Sequence, residues 1–130
     1  MEPTQYTLKK EERLCSKKKI EQLFQSGASI MAFPIRMQYL LIEAEDTTPV
    51  KILFSVPKKR FKRAVKRNLI RRRMREAFRL NKHQLLAAIP KNKQLICAFI
   101  YIDSTVHPYD AILKGTIKAF ERYTAKQHPE

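Results

Sequence analysis

The amino-acid sequence predicts an α+β fold, and three observations lead to that prediction. Residues 50–56 (VKILFSV) have the β-branched and aromatic composition of a strand. Residues 94–102 (QLICAFIYI) form a nearly continuous apolar run, as expected of a strand that is buried on both faces. Between them, residues 62–80 repeat apolar side chains at helical spacing. A strand, a long helix and a buried strand in this order predict a crossover that leaves the two strands parallel.

The size and charge of the chain narrow its class. Its 130 residues and 44% hydrophobic content suit one folded domain over residues 1–130, of which 1–12 are polar and expected to be flexible. The net charge is +15, and self-repulsion on this scale favours a polyanionic partner, with nucleic acid ahead of a membrane surface. The chain has no apolar run of about 18 residues and no signal-peptide core, which predicts a cytoplasmic protein without a membrane span.

The first predicted element is a short helix from Ser16 to Phe24. Ser16 suits the N-cap, and Ile20, Leu23 and Phe24 share one face of the helix. Gly27 is expected to end it. Burial is the usual fate of such apolar side chains, but Phe24 is the one that is also placed to line a groove.

The following segment, residues 30–44, alternates in the manner of a strand. Ile35, Met37 and Tyr39 alternate with Arg36, Gln38 and Leu40. A polar turn at residues 45–49 joins this strand to the one at residues 50–56. The sequence therefore predicts that these two strands form an antiparallel hairpin, which Pro57 ends.

Two further features lie in the second half of the chain. A polar break at residues 81–83 is expected to end the long helix, and residues 84–89 form a short apolar segment that is compatible with a helix before Pro90. Pro108 is predicted to open a last helix, which Gly115 weakens locally. The inner face of this helix is predicted to consist of Ile112, Thr116, Ala119, Phe120 and Tyr123.

The densest charge of the chain lies in residues 58–79, which contain twelve Lys or Arg against one acid, Glu76. A helical projection gives one apolar face, formed by Leu69, Ile70, Met74, Ala77 and Phe78. The opposite face is formed by Asn68, Arg71, Arg72, Arg75 and Arg79. Solvated helix faces usually mix acids and bases, so this pattern favours a polyanion-binding face over an ordinary surface. Arg73 lies near the apolar edge, and its guanidinium is expected to reach past it.

The chain offers no catalytic constellation. His83, His107 and His128 lack the spacing of metal ligands, and no Ser/Cys–His–Asp arrangement can be proposed from spacing alone. Arginine, by contrast, binds phosphate bidentately and stacks on exposed bases. The residues therefore predict a binding module. Aromatic side chains near strands, such as Phe33, Tyr39 and Phe54, are able to stack on bases, although core packing is their more usual role.

Two runs of residues form a specific pattern: FSVPKK at residues 54–59 and AVKRNLIRRRMREAF at residues 64–78. They resemble the signature of a known family, the bacterial ribonuclease P protein subunit. The family pattern is roughly S-V-x-K-K, a short connection, and A-V-x-R-N-R-x-K-R-x-x-R-E. Arg13-Leu14 and residues 20–27 are also similar to the beginning and the first helix of the family. The resemblance covers about residues 13–102.

The resemblance implies a small two-layer sandwich of a mostly antiparallel four-stranded sheet with three helices and a left-handed βαβ crossover. It also implies that the protein is a cofactor of a catalytic RNA subunit, with one copy of the protein for each RNA. That ribonucleoprotein removes the 5′ leader of precursor tRNA endonucleolytically. The protein is expected to broaden its substrate range, and Mg²⁺ is held mainly by the RNA.

Family roles transfer to the matching positions of this sequence. The resemblance implies RNA contacts by Lys58, Lys59, Arg67, Asn68, Arg71, Arg72 and Arg75. It implies a cleft between the first helix and the sheet that holds the single-stranded leader, with Arg13, Phe24 and Tyr39 as its residues. Three positions depart from the pattern. Leu69 stands where the family has the last residue of its Arg-Asn-Arg motif. Ile20 replaces an aromatic residue of the first helix, and Pro57 replaces a small residue before the lysine pair.

Other functions are compatible with parts of the pattern. A non-catalytic structured-RNA-binding or ribosomal protein of the same fold is the principal alternative. A DNA-binding regulator is weaker, because the basic helix is not preceded by a short partner helix and turn. A membrane-surface helix is weakest, because the apolar face is needed for the fold.

Overall fold

The computed structural model describes residues 10–127, so that most of the polar segment 1–12 and His128 lie outside the described part. A short 3-10 helix, Lys10–Glu12, precedes the regular elements. In chain order the elements are α1 (Lys17–Ser26), β1 (Ala28–Ala32), β2 (Ile35–Glu43), β3 (Val50–Ser55), α2 (Ala64–Leu86), β4 (Lys93–Tyr101) and α3 (Tyr109–Gln127). The helix predicted from Ser16 is confirmed as α1. The Ser16 side chain accepts a hydrogen bond from the Lys19 amide, and the Gly27 amide closes the last turn on Leu23.

The four strands form one sheet in the order β1-β2-β4-β3. The β1–β2 and β2–β4 pairs are antiparallel, and β3 and β4 are parallel. The prediction of a mostly antiparallel sheet with one crossover through the long helix is confirmed. The handedness of that crossover stays a prediction.

The predicted hairpin of residues 30–44 with residues 50–56 is wrong. The first of these segments is two strands, which meet at the cis Phe33-Pro34 peptide bond and pair with each other. The strand at residues 50–56 pairs instead with β4, which lies between β2 and β3. The physical reason lies in β4, whose apolar residues need cover on both faces and on both edges, so that it takes a central position in the sheet.

The predicted helix break at residues 81–83 is also wrong, because α2 continues to Leu86. The Asn81 side chain donates a hydrogen bond to the Ala77 carbonyl at 2.9 Å, within the helix. Lys82 is buried and forms an ion pair with Glu12 at 3.0 Å. Polar residues in a helical pattern predict a helix end, but Lys82 has a tertiary partner and the helix continues past it.

The sheet has an apolar cluster on each face. On one face α2 and α3 cover the larger cluster, in which Phe78 makes edge contacts with Phe54, Phe99 and Phe120. The predicted inner face of α3 is buried there at all five positions. On the other face α1 covers a smaller cluster of Leu14, Leu23, Ile96 and Ala98. No helix within residues 10–127 is both long and apolar enough to cross a bilayer.

Gly115 is needed for the contact between α3 and the β1–β2 hairpin. A Cβ atom at this position would lie 2.9 Å from the Ala32 carbonyl oxygen and 3.1 Å from that of Phe33. Both neighbours are backbone atoms, which cannot rotate away. Helix propensity alone predicts that Gly115 weakens α3, whereas the packing of α3 on the hairpin requires a residue without a side chain at this position.

We therefore expect Gly115→Ala to lower the free energy of unfolding by about 1–3 kcal/mol, even though alanine favours helices. Chemical denaturation monitored by circular dichroism measures the change. Lys118→Ala, at an exposed position of the same helix, is the control and should change stability by no more than about 0.5 kcal/mol. A Gly115→Ala protein that is more stable than the parent would contradict the packing argument.

Candidate nucleic-acid interface

The two predicted faces of α2 are present in the structure. Ile70, Met74, Ala77 and Phe78 are fully buried, whereas Leu69 is only half-buried. On the opposite face, which we call the arginine face, Asn68, Arg72 and Arg75 are exposed, and Arg71 and Arg79 are half-buried. Side chains three and four residues apart lie next to each other on a helix. The burial of one side of α2 therefore presents these guanidiniums as a single row.

Hydrogen bonds on the arginine face differ from residue to residue. Arg71 donates from Nη1 to the Asn68 side-chain oxygen at 2.7 Å, which orients both side chains. Arg79 donates to both carboxylate oxygens of Glu76, at 3.2 and 2.6 Å. Arg72 and Arg75 make no ion pair with any residue in the range 10–127. These last two guanidiniums are the best placed to meet an external anion.

The Glu76–Arg79 pair has a defined pH dependence. Hydrogen bonds from Arg79 lower the pKa of the Glu76 carboxyl, and the same contact raises the pKa of Arg79. A carboxyl whose pKa is depressed by folding contributes stability above its unfolded pKa of about 4.3. That contribution is lost as the pH falls through the folded value. At neutral pH Glu76, the one acid of residues 58–79, is therefore ionised and bonded to Arg79.

The loop before α2 presents the two predicted lysines. Lys58 and Lys59 are exposed in a turn that the Arg60 amide closes on the Pro57 carbonyl at 3.1 Å. Phe61 anchors the loop, because its ring is buried against Tyr101 with 5.9 Å between ring centroids. The loop therefore holds its charged side chains outwards from a fixed base.

Arg67, a predicted RNA contact, has a structural role in this loop. Its Nη1 atom donates to the carbonyl oxygens of Phe61 and Lys62, at 2.7 and 2.9 Å. These bonds tie the first turns of α2 to the loop that precedes it. Direct contact of Arg67 with RNA stays a prediction, since other donors of the guanidinium remain.

Arg73 reaches past the apolar edge of α2, as expected. It donates from Nη1 to the His107 carbonyl at 2.6 Å and so holds the segment between β4 and α3. In the same segment the His107 ring bonds Asp103 at 2.6 Å, and this bond lowers the pKa of the Asp103 carboxyl. The Tyr101 hydroxyl donates to the Thr105 carbonyl at 2.6 Å. Through Arg73, this network ties α2 to the segment between β4 and α3.

The first helix packs on the sheet on the side where the resemblance implies the leader cleft, and the cleft itself stays a prediction. Leu23 of α1 is fully buried, and its carbonyl accepts a hydrogen bond from the Gln38 side chain at 3.3 Å. The next residue, Phe24, is 45% exposed. Phe24 therefore presents part of its ring to solvent, and its role in a leader cleft stays a prediction.

On the face of the sheet that carries α1, one row of side chains remains partly open to solvent. Strand register places Met31 beside Arg36, Arg36 beside Ile100, and Ile100 beside Ser55. Side chains alternate between the faces of a strand, so that Arg36 shares the α1 side with Gln38 and Leu40. All four residues of the row are exposed or half-buried. The row crosses the whole sheet.

Arg36 is a further basic residue of this row that the family pattern did not single out. Its Nε atom is shielded from solvent and has no hydrogen-bond partner within residues 10–127. A donor in that state favours an acceptor supplied by a ligand. The alternation of residues 35–40 already indicated that Arg36 faces away from Ile35 and Met37. What the sequence did not show was which face stays open.

The prediction that Tyr39 lines this cleft is wrong. Tyr39 lies on the opposite face of the sheet, is 9% exposed, and packs edge-on against Tyr123 of α3 with 5.2 Å between ring centroids. The physical reason is the alternation of β2. A residue in register with Ile35 and Met37 belongs to the larger core.

Arg13 lies beside the arginine face. A pocket of about 300 Å³ is bounded by Arg13, Arg71 and Arg75. Leu14, Cys15 and the β3 residues Ile52, Leu53 and Phe54 complete its lining. The structure thus brings a predicted cleft residue and two predicted RNA contacts to one place. Among the described residues, no three His, Cys, Asp or Glu side chains are grouped so as to hold a metal ion.

Comparison with known proteins decides the family. A model of the protein family described as Ribonuclease P matches residues 8–124. The chain is 34% identical over 122 residues to the ribonuclease P protein component of Porphyromonas gingivalis (strain ATCC 33277), which covers 92% of this chain and 88% of that protein. The chain belongs to the ribonuclease P protein component family. The ribonuclease P protein component of Chlorobaculum tepidum is 36% identical over 93 residues, or 65% of this chain and 60% of that one.

Solved structures show the same fold. The Staphylococcus aureus RNase P protein superposes with a TM-score of 0.65 at 18% identity, over 86% of this chain and 94% of that one. The Thermotoga maritima RNase P protein gives 0.66 at 19% identity, over 85% and 96%. The α+β fold expected from the resemblance is thus confirmed. As a ribonuclease P protein component, the chain is an RNA-binding tRNA-processing protein and part of an endoribonuclease holoenzyme.

We expect Arg75→Ala to weaken binding to the ribonuclease P RNA and to reduce the slope of log affinity against log salt by about one unit, because one phosphate contact is lost. Titration of the RNA at several salt concentrations measures both quantities. Lys118→Ala removes the same charge from an exposed site on α3 and should leave the slope nearly unchanged. Equal effects of the two variants would show that only net charge matters.

Proposed function

We propose that this chain is the protein cofactor that binds the catalytic RNA of ribonuclease P through its arginine face and the 5′ leader of precursor tRNA in the cleft beside α1. The observation that carries the proposal is the one-sided arginine face, built on a helix that buries Ile70, Met74, Ala77 and Phe78 on its other side, in a member of this family. One copy of the protein acts with each RNA, in the cytoplasm.

The arginine face suits a folded RNA backbone. Asn68, Arg71, Arg72 and Arg75 recur at helical spacing, and an anchored helix holds their Cα atoms in place before RNA arrives. Binding therefore requires the ordering of side chains but not of the helix. Planar guanidiniums pair with phosphate oxygens through two parallel hydrogen bonds, which adds geometric selectivity to charge attraction. Lys58 and Lys59 extend the same surface as point charges.

The cleft suits a single strand. Single-stranded nucleic acid is bound where aromatic rings stack on bases and cations follow the backbone. Phe24 supplies an exposed ring, and Arg36 supplies a guanidinium on the sheet floor. Arg13 adds a second cation at the β3 edge. Recognition of this kind depends little on base identity, which fits a leader of variable sequence.

We assign catalysis to the RNA subunit and its Mg²⁺, as the resemblance implies, and binding and positioning to the protein. Both RNAs are polyanions and repel each other. A protein of net charge +15 between them reduces that repulsion, a task that Mg²⁺ would otherwise share. The same contribution, independent of leader sequence, broadens the range of substrates.

Reconstitution with the catalytic RNA tests the proposal directly. At low magnesium the protein should accelerate leader removal from precursor tRNA, because its charge replaces part of the counterion requirement. The measurement is the single-turnover cleavage rate with and without protein. A cleavage rate no higher than that of the RNA alone would contradict the cofactor role. Equal binding of precursor and mature tRNA would favour a general structured-RNA-binding protein.

We expect Phe24→Ala to reduce the affinity for precursor tRNA while leaving that for mature tRNA unchanged, since a stacking contact contributes about 1–3 kcal/mol. Phe33→Ala is the matched control. Phe33 is 59% exposed, but its ring packs against His107, away from α1. The ratio of the two affinities is measured for each variant with the reconstituted holoenzyme. A ratio that Phe24→Ala leaves as in the parent would count against the cleft assignment.

A further inference from the structure

A buried ion pair joins the beginning of the described chain to α2. Lys82 Nζ lies 3.0 and 3.1 Å from the two carboxylate oxygens of Glu12. The side chains are only 4% and 6% exposed. Burying such a pair contributes little net stability relative to apolar residues of the same size, but it enforces one arrangement of the groups that it joins.

The position of Lys82 on α2 shows which groups are joined. Seven residues make almost two full turns, so Lys82 lies on the same stripe of the helix as Arg75. This stripe continues the arginine face towards the C-terminal end of α2. There the Lys82 ammonium group faces Glu12 of the N-terminal segment, whereas Arg72 and Arg75 face solvent.

The N-terminal segment alternates between inward and outward side chains. Glu12 and Leu14 are buried, and Arg13 and Cys15 are exposed. Leu14 donates its amide to the Ile52 carbonyl at 2.9 Å, so that the segment is also bonded to the edge of β3. Arg13 thus stands between two attachment points, one on α2 and one on the sheet.

The result is a pocket with three guanidiniums. Arg13 lines it together with Arg71 and Arg75. Three like charges in one pocket repel each other, and a free N-terminal segment would move Arg13 away from the other two. The Glu12–Lys82 pair opposes that movement at a point one residue from Arg13.

We propose that Glu12 and Lys82 are positioning residues, whose buried ion pair holds Arg13 beside Arg71 and Arg75 and so joins the leader cleft to the arginine face. This inference rests on the proposed function. Arg13 is ordered before RNA binds, which removes the entropy loss of ordering it on binding. The RNA ligand of this pocket is the stretch of backbone that passes from the arginine face into the cleft.

The test uses the reconstituted holoenzyme and the variant Glu12→Gln/Lys82→Met, which removes both charges of the pair. This variant should weaken precursor tRNA binding on the order of threefold to tenfold and leave mature tRNA binding unchanged, as Arg13→Ala should. The variant that combines all three substitutions should bind like Arg13→Ala alone, because the pair acts through Arg13. Multiplying effects would overturn the proposal, since a purely structural role does not require Arg13.

A matched control is available on α3. Asp110 and Lys114 form an ion pair at 3.2 Å with side chains that are 72% and 77% exposed. Asp110→Asn/Lys114→Met removes the same charges at the surface and should leave the precursor-to-mature ratio unchanged. A loss of the ratio equal to that of the Glu12/Lys82 variant would overturn the proposal. Circular dichroism and thermal unfolding establish that every variant is folded.

The native cysteines provide a second readout. Cys15 is exposed and lies two residues from Arg13, whereas Cys97 is fully buried. A nitroxide reagent should therefore label Cys15 alone in the folded protein. Its paramagnetic resonance spectrum, recorded without RNA, should show faster motion in Glu12→Gln/Lys82→Met than in the parent. An unchanged spectrum in a folded variant would overturn the proposal.

The outcomes separate this proposal from the proposed function. If Arg13→Ala and Phe24→Ala lower the preference for precursor tRNA but the Glu12/Lys82 variant does not, the positioning role fails and the leader cleft stands. If neither Arg13→Ala nor Phe24→Ala changes that preference, the leader cleft itself fails, and the positioning role with it.

Discussion

The burial of one side of α2 is the constraint on which the rest of the structure depends. Ile70, Met74 and Phe78 have no solvent exposure, and Phe78 packs among aromatic rings from β3, β4 and α3. Since residues at helical spacing cannot turn independently, this packing alone determines which side chains of α2 face solvent. The arginine face is therefore a consequence of the core. A change in the core that rotated α2 would move every guanidinium at once.

The second constraint is charge. With 27 basic and 12 acidic residues, the chain cannot pair most of its cations internally. Three of the paired acids among the described residues lie on or near α2: Glu76 bonds Arg79 on the helix, Asp103 bonds His107 in the segment that Arg73 contacts, and Glu12 reaches Lys82 across the fold. The central part of the arginine face is left with net positive charge, and this is where we expect RNA phosphates.

Much of the site was predictable because periodicity and residue type act locally. The buried and exposed sides of α2, the caps of α1 and the inner face of α3 follow from spacing, and the structure confirms them. Strand pairing was not predictable in the same way. A nearest-neighbour hairpin is the simplest expectation, but β4 enters between β2 and β3 from residues far along the chain. The wrong prediction for Tyr39 has a related cause. Alternation along β2 separates the residues of the two sheet faces, but it does not show which face packs against α1.

The sequence by itself determined that this protein has a one-sided basic helix, a family signature and no spacing typical of catalytic residues, because these are properties of neighbouring residues. Only the tertiary structure decided that Arg36 lies in a half-buried row on the α1 side of the sheet, that Lys82 is buried against Glu12, and that Arg13 shares a pocket with Arg71 and Arg75. Each of these facts joins residues that are distant in the chain. They depend on long-range packing, which no local pattern encodes.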